Sequence, residues 1–178
     1  MTTVEIFATD DAEPGLLPLV RRMLDSAFAG TLSDDDWQHT LGGWHVIVRK
    51  QGRLLAHASV VPRALVVDHE CFDTGYVEGV ATAPDQQGQG FGSIVVARVN
   101  ELVRARFEMG ALSTDRQAFY TRLGWEPWQG PSFVRHDDGR LVRTADEDDG
   151  IMVLRFGPSS DVDLGAALTC RARSGDDW

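Results

Sequence analysis

The chain has 178 residues, 43% hydrophobic and 25% charged, which is enough to bury one core, so a single domain over 1–178 is expected. Its formal net charge of −10 opposes nucleic acid and anionic membrane surfaces and favours cationic ligands. The opening MTTVEIFATD has no basic segment before an apolar run, so no signal peptide is expected, and no stretch approaches membrane-spanning length. The two cysteines, Cys71 and Cys170, read as free thiols in a reducing cytoplasm.

In chain order, Val4–Phe7 reads as a first strand. Pro14 opens a helix through Ala27, with Leu17, Val20, Met23, Leu24 and Phe28 as its apolar stripe. Ser33 and Asp36 form a capping arrangement for a short helix ending near Leu41. Asp34, Asp35 and Asp36 in its first turn complement the helix dipole. Gly42-Gly43 breaks the chain. Trp44–Lys50 alternates as a strand, Gln51-Gly52 turns, and Leu54–Val67 returns beside it, with a kink or edge position at Pro62. Phe72–Thr82 is the next strand. Glycine inside a strand marks a bulge or a close approach to the backbone, and Gly79 is such a residue.

A long helix over Gly90–Phe107 follows, its apolar face made by Phe91, Val95, Val99, Leu102 and Val103. Met109–Ser113 is a short strand, and Asp115–Leu123 a helix capped by Gly124. Phe119 and Leu123 should face the core there, with Tyr120 at the edge of that face. Trp125–Val134 is extended, 137–149 is an acidic loop, Ile151–Phe156 is a strand and Leu168–Arg173 a final one. Strands in runs with a few helices make an α+β fold with a mixed, mostly antiparallel sheet flanked by helices.

Between the fourth strand and the long helix lies Gln87-Gly88-Gln89-Gly90-Phe91-Gly92. A strand feeding a glycine-rich turn at a helix N-terminus offers unpaired N–H groups and a favourable dipole to an anion. The spacing is not that of a dinucleotide fingerprint, and no Gly-Lys-Ser/Thr follows. Gln87, Gly90 and Gly92 instead meet the pattern Q/R-x-x-G-x-G/A. Further on, Ala118-Phe119-Tyr120-Thr121-Arg122-Leu123-Gly124-Trp125 is similar to A-x-x-F-Y-x-x-x-G-F. Together the two motifs resemble the GNAT acetyltransferase superfamily. That resemblance implies a GNAT fold with splayed central strands, acetyl-CoA as co-substrate and no metal. It puts the pyrophosphate on Gln87, Gly88, Gln89, Gly90, Gly92 and Ser93, and pantetheine on the backbone of Val80 and Thr82. Gln87 stands where many relatives carry Arg, so one favourable charge is missing.

Acetyl transfer to an amine needs the amine deprotonated, the thioester carbonyl polarised and the thiolate protonated. Glu78 is the candidate base, acting through a water, and Tyr120 the candidate acid. The plainer alternatives are a Glu78 paired to an arginine such as Arg63 and a Tyr120 that only packs. Main-chain N–H groups around Gly79 and Val80 would polarise the carbonyl.

Acids cluster at Asp34–Asp36, Asp146–Asp149 and Asp176-Asp177, with Trp37, Trp125, Trp128 and Trp178 in company, which suits a polycationic ligand. The stretches DWQHTLGG from Asp36, GYVEGVA from Gly75, GWEPWQGP from Gly124 and the ending SGDDW are similar to those of actinobacterial aminoglycoside 2′-N-acetyltransferases. That closer resemblance implies N-acetylation of an aminoglycoside's 2′-amine, which inactivates the drug. Asp36, Asp148, Asp149, Asp176 and the carboxylate of Trp178 would hold ammonium groups, and Ser113 would touch a sugar. A homodimer is carried over from the same relatives. Thr31 departs from the acid that they carry there. Two other classes stay open: a GNAT enzyme for another polyamine or a cell-wall amino sugar, and a non-catalytic aminoglycoside- or acyl-CoA-binding protein.

Overall fold

The computed structural model describes residues 1–178 and divides into two compact units, 1–61 with 77–101 and 62–76 with 102–178. Strands β3 (Arg53–Val67) and β4 (Glu70–Thr82) and helix α3 (Phe91–Arg106) contribute residues to both.

In the first unit, β1 (Thr2–Ala8) pairs antiparallel with β2 (Trp44–Lys50), which pairs antiparallel with β3. Helix α1 (Leu16–Ala27) starts two residues after Pro14, at a left-handed Gly15 with φ 83°. Leu16, Val20, Met23 and Leu24 are buried on it, with Trp37, Ile47, Leu54, Ala81 and Ala83 in the same cluster. Phe28, expected on that stripe, is 38% exposed because the helix has already ended. Helix α2 (Asp34–His39) carries the expected capping box. Ser33 Oγ accepts from the Asp36 amide at 3.0 Å, and Asp36 Oδ2 accepts from the Ser33 amide at 2.8 Å.

The second unit orders its strands β6-β9-β5-β4-β3-β10-β7-β8, where β5 is Met109–Ser113, β6 Glu126–Pro127, β7 Ser132–Arg135, β8 Leu141–Arg143, β9 Ile151–Arg155 and β10 Leu168–Arg171. The β4–β5 and β7–β10 pairs are parallel; β5–β9, β6–β9, β3–β10 and β7–β8 are antiparallel, so the sheet is mixed and mostly antiparallel. The β4–β5 pairing covers only Thr74 to Tyr76, although β4 runs on to Thr82. That early end is the splaying the family resemblance implies.

The extended stretch expected over Trp125–Val134 is two strands. The amides of Gln129 and Gly130 leave the ladder to bond Leu164 O, and a Cβ on Gly130 would stand 1.9 Å from Ala166 O. The chain thereby passes from its place beside β9 to one beside β10. The acidic loop over 137–149 contains β8 and most of a 3₁₀ turn, Ala145–Gly150. Cys71 is exposed and Cys170 buried, both as free thiols, and burial pushes the Cys170 thiol up to about 11.

Candidate active site

In the first unit the candidate residues gather on the end of β4 and the loop beyond it. Gly79 has φ 57°, a backbone that side chains with a Cβ rarely adopt, within the unbroken strand β4, which fits the bulge expected there. A Cβ there would meet Thr40 Cγ2 at 2.8 Å, so the bulge is packed against the C-terminal end of α2, the helix that carries Asp36. Glu78 is half-buried. Its carbonyl accepts from Ser59 Oγ at 3.1 Å, and the Gly79 carbonyl accepts from His57 Nδ1 at 2.8 Å.

Beyond Thr82, Gly88 and Gly90 take φ 74° and 86°, and a Cβ on either would meet nothing within 4 Å. Glycine is required there by backbone angle, and the space over the loop is open. The loop delivers the chain into the sixteen-residue α3, with Ile94 N bonded to Gly90 O at 3.1 Å. Amides earlier in that first turn have no carbonyl one turn back to bond. Gln87 and Gln89 turn their side-chain amides toward the carbonyls of Thr82 and Asp85, at 3.4 and 3.5 Å. Ser93 is half-buried in the helix's first turn.

In the second unit Tyr120 departs from expectation. It is 6% exposed and is the buried residue of the short α4 (Gln117–Thr121), its ring edge-on to Trp125 at 6.2 Å and to Phe119 at 5.0 Å. The helix is five residues long and ends before Leu123, so Phe119 and Leu123 do not form a core-facing pair on it; both are half-buried. Burial raises the Tyr120 phenol well above its usual range, which keeps its proton in place at working pH.

The acidic turn and the C-terminal tail come together. Glu147 has its carboxyl pushed up by burial first, then by the carboxylates of Asp176, Asp146 and Asp177. Trp178 is buried, and its indole N–H donates to Thr144 Oγ1 at 3.0 Å. Thr144 Oγ1 lies 2.8 Å from Ser132 Oγ, which donates to Asp148 Oδ1 at 2.7 Å. Asp148 is also bonded by the Ser132 amide at 2.9 Å and by both Arg143 terminal nitrogens; the Arg143 bonds lead in holding its carboxyl down at about 2. The Asp148 carboxylate is thus a strut of the turn. Asp149 is exposed, and its carbonyl accepts from the Gln117 side chain. Exposed Ser113 closes β5 beside the turn: a Cβ on Gly150 would stand 3.0 Å from its hydroxyl. Asp176 is exposed, and its carbonyl accepts from Arg173 Nε at 2.6 Å. Glu147, His57 and Ser59 were not among the candidates read from sequence. Glu147 was hidden in an acidic run, and the other two have no motif beyond two polar residues sharing one strand face.

A protein-family model described as an acetyltransferase (GNAT) domain matches residues 10–128. The chain belongs to the GNAT acetyltransferase family. The sequence of this GNAT acetyltransferase is 39% identical over 180 residues to an aminoglycoside 2′-N-acetyltransferase of Mycolicibacterium fortuitum, covering 99% of this chain and 92% of that one. Among solved structures it is similar to the GNAT family N-acetyltransferase YhbS of Escherichia coli in complex with CoA, with TM-score 0.63, 17% identity, and 95% and 89% of the two chains covered. A GNAT family acetyltransferase of Brucella melitensis in complex with acetyl-CoA matches with TM-score 0.62 at 16% identity, over 93% and 94%. At those identities the likeness is one of fold. Other matched structures are longer, and this GNAT chain spans 33% or 34% of them.

The residues present fit acetyl-CoA. Open, left-handed glycines leading into a long helix would leave main-chain amides for its pyrophosphate, and Gln87 would add a neutral donor.

Proposed function

We propose that this acetyltransferase moves the acetyl group of acetyl-CoA to the 2′-amine of an aminoglycoside, inactivating the drug and so conferring resistance. The observation that carries the reading is the meeting of Asp146, Glu147, Asp176 and Asp177 at the docked C-terminal tail, in a chain 39% identical to an enzyme of that name. A polyamine sugar carries several ammonium groups; hydrogen bonds to charged groups contribute about 1.5–3 kcal/mol each in a dry site, and exposed ion pairs about 0.2–1 kcal/mol. Asp149, Asp176 and the Trp178 carboxylate offer such bonds, as does Asp36 Oδ1, since the capping box uses Oδ2. Ser113 offers a hydroxyl to a sugar. Asp148 supports the turn that presents them.

In this reading the amides of Gly88, Gln89, Gly90, Gly92 and Ser93, with Gln87, take the pyrophosphate, and the backbone of Val80 and Thr82 takes the pantetheine amides. The Gly79 and Val80 amides polarise the thioester carbonyl, where charge develops in the transition state. Glu78 removes the proton of the attacking ammonium through a water. Tyr120 gives its proton to the departing thiolate. The reading includes a cytoplasmic homodimer of single-domain chains, as the resemblance read from the sequence implies.

The test follows thiol release from acetyl-CoA with kanamycin B, which has a 2′-amine, and kanamycin A, which has a hydroxyl there. Turnover of the first and none of the second is expected. Equal turnover would place the reaction on another amine, and binding without thiol release would make the protein a sequestering one.

A further inference from the structure

We propose that His57 and Ser59 are positioning residues which aim the two bulge amides of β4 at the thioester carbonyl, with His45 and Thr9 fixing the orientation of His57. The inference rests on the reading of this bulge as the carbonyl-polarising element.

In a regular strand successive carbonyls point alternately to the two neighbours. At the bulge they do not. The Glu78 and Gly79 carbonyls, one after the other, are both taken by side chains of β3, Ser59 at 3.1 Å and His57 at 2.8 Å. Those donors are two residues apart on one strand, so they stand on the same face. No peptide bond is cis, and in a trans peptide the N–H points opposite to its own carbonyl. Two consecutive carbonyls held toward β3 therefore turn two consecutive amides, Gly79 N–H and Val80 N–H, the other way. Gly79 at φ 57° permits that turn; His57 and Ser59 hold it.

The rest of the chain of bonds follows from one carbonyl. Gly79 O can only accept, so the hydrogen of His57 sits on Nδ1. His57 Nε2 then accepts from His45 Nδ1 at 2.9 Å, which leaves His45 Nε2 to accept the Thr9 hydroxyl at 3.0 Å in preference to the Gly43 carbonyl, 3.2 Å from the same hydroxyl and already bonded by the Thr9 amide. Thr9 Oγ1 in turn accepts from the Gly42 amide at 3.0 Å. Both imidazoles are fully buried, and Phe7 stacks on His45 at 5.1 Å. Burial leads in lowering His45 to about 4 and His57 to about 3, so both rings are neutral at working pH and the bonds run in one direction. Elements far apart in sequence thus hold a single peptide group in place.

The experiment compares wild type with His57→Leu, His57→Asn and Ser59→Ala by two readouts. One is the infrared carbonyl stretch of bound acetyl-CoA labelled with ¹³C at the thioester carbonyl, which needs no acceptor. The other is kcat against the acetyl-CoA KM with whichever amine the wild type acetylates. Asparagine places its side-chain N–H near the position of His57 Nδ1; leucine has no donor. Expected is a wild-type stretch displaced to lower frequency, returned toward the free value in His57→Leu and mostly kept in His57→Asn. His57→Leu should lose about ten- to a hundredfold in kcat with KM within about twofold. Ser59→Ala, which leaves little cavity, should lose a smaller part of both, and it keeps the test open if His57→Leu does not fold. A displaced stretch that survives in both His57→Leu and Ser59→Ala overturns the inference, as does an asparagine variant no better than leucine. A wild type with no displacement refutes the polarising role of the bulge itself, and the inference with it. Failure to acetylate kanamycin B, by contrast, touches only the acceptor.

Discussion

Replacing Gly79 by alanine tests the bulge most directly. The residue sits at φ 57°, where a Cβ clashes with the following carbonyl at a cost of about 1–2 kcal/mol. The added methyl would also stand 2.8 Å from Thr40 Cγ2. Thr40 is 1% exposed, and its Oγ1 donates to Trp37 O at 2.7 Å, so swinging the methyl aside breaks that bond. Inserting a methyl into packed surroundings costs about 1–3 kcal/mol. Together the two effects amount to about 2–5 kcal/mol, and the chain can relieve them only by flattening the bulge or by bearing them as lost stability. In the first case the Gly79 and Val80 amides turn from their alignment, and kcat falls by about 10²-fold or more with acetyl-CoA affinity nearly kept. In the second the urea midpoint falls. Both should be measured, by thiol release and by denaturation of the same preparation. A Gly79→Ala protein with wild-type kcat and wild-type midpoint would refute the reasoning, because neither strain nor alignment would then be real.

Three other outcomes are expected. Glu78→Gln should slow turnover most at neutral pH while leaving acetyl-CoA affinity nearly unchanged; an unaltered pH–rate profile would remove Glu78 as the base. Asp176→Asn, or deletion of Trp178, should raise the KM for kanamycin B more than that for acetyl-CoA, and equal rises would make the tail purely structural. Asp148 has a folded pKa of about 2, below the ordinary carboxylate value of about 3.9, so its contribution to stability is complete above pH ~4 and lost as pH falls toward 2. Asp148→Asn should therefore lower the urea midpoint at pH 7 and flatten its fall between pH 4 and 2, and a parallel acid limb would refute the strut.

Much of the fold was legible because its signals are local. Ser33 and Asp36 lie three apart and made the expected capping box; the strand expected over Trp44–Lys50 matched β2 in both bounds, although His45 to Val48 are buried on both faces instead of alternating. Phe91, Val95, Val99, Leu102 and Val103 were all buried on α3 as their spacing required. The backbone of the candidate site was legible where a motif names backbone behaviour, as at Gly79, Gly88 and Gly90, all with positive φ. Tyr120 was harder, since its direction depends on where α4 stops and on Trp125, neither of which the helical period reports.

The sequence alone determined the family, most of the order of strands and helices, and the places where glycine must stand. Hydrogen-bond periodicity, caps and turns act within a few residues and leave their mark on a short stretch. Only the tertiary structure decided which carboxylates the protein's own side chains already hold. Asp148 is taken by Ser132 and Arg143, and Glu147 meets Asp176, because the chain's end folds back on the turn. It alone showed that a serine and a histidine on β3 hold the carbonyls of β4. Bonds between residues about twenty positions apart leave no pattern in a sequence, since any donor of the right reach would satisfy the same carbonyl.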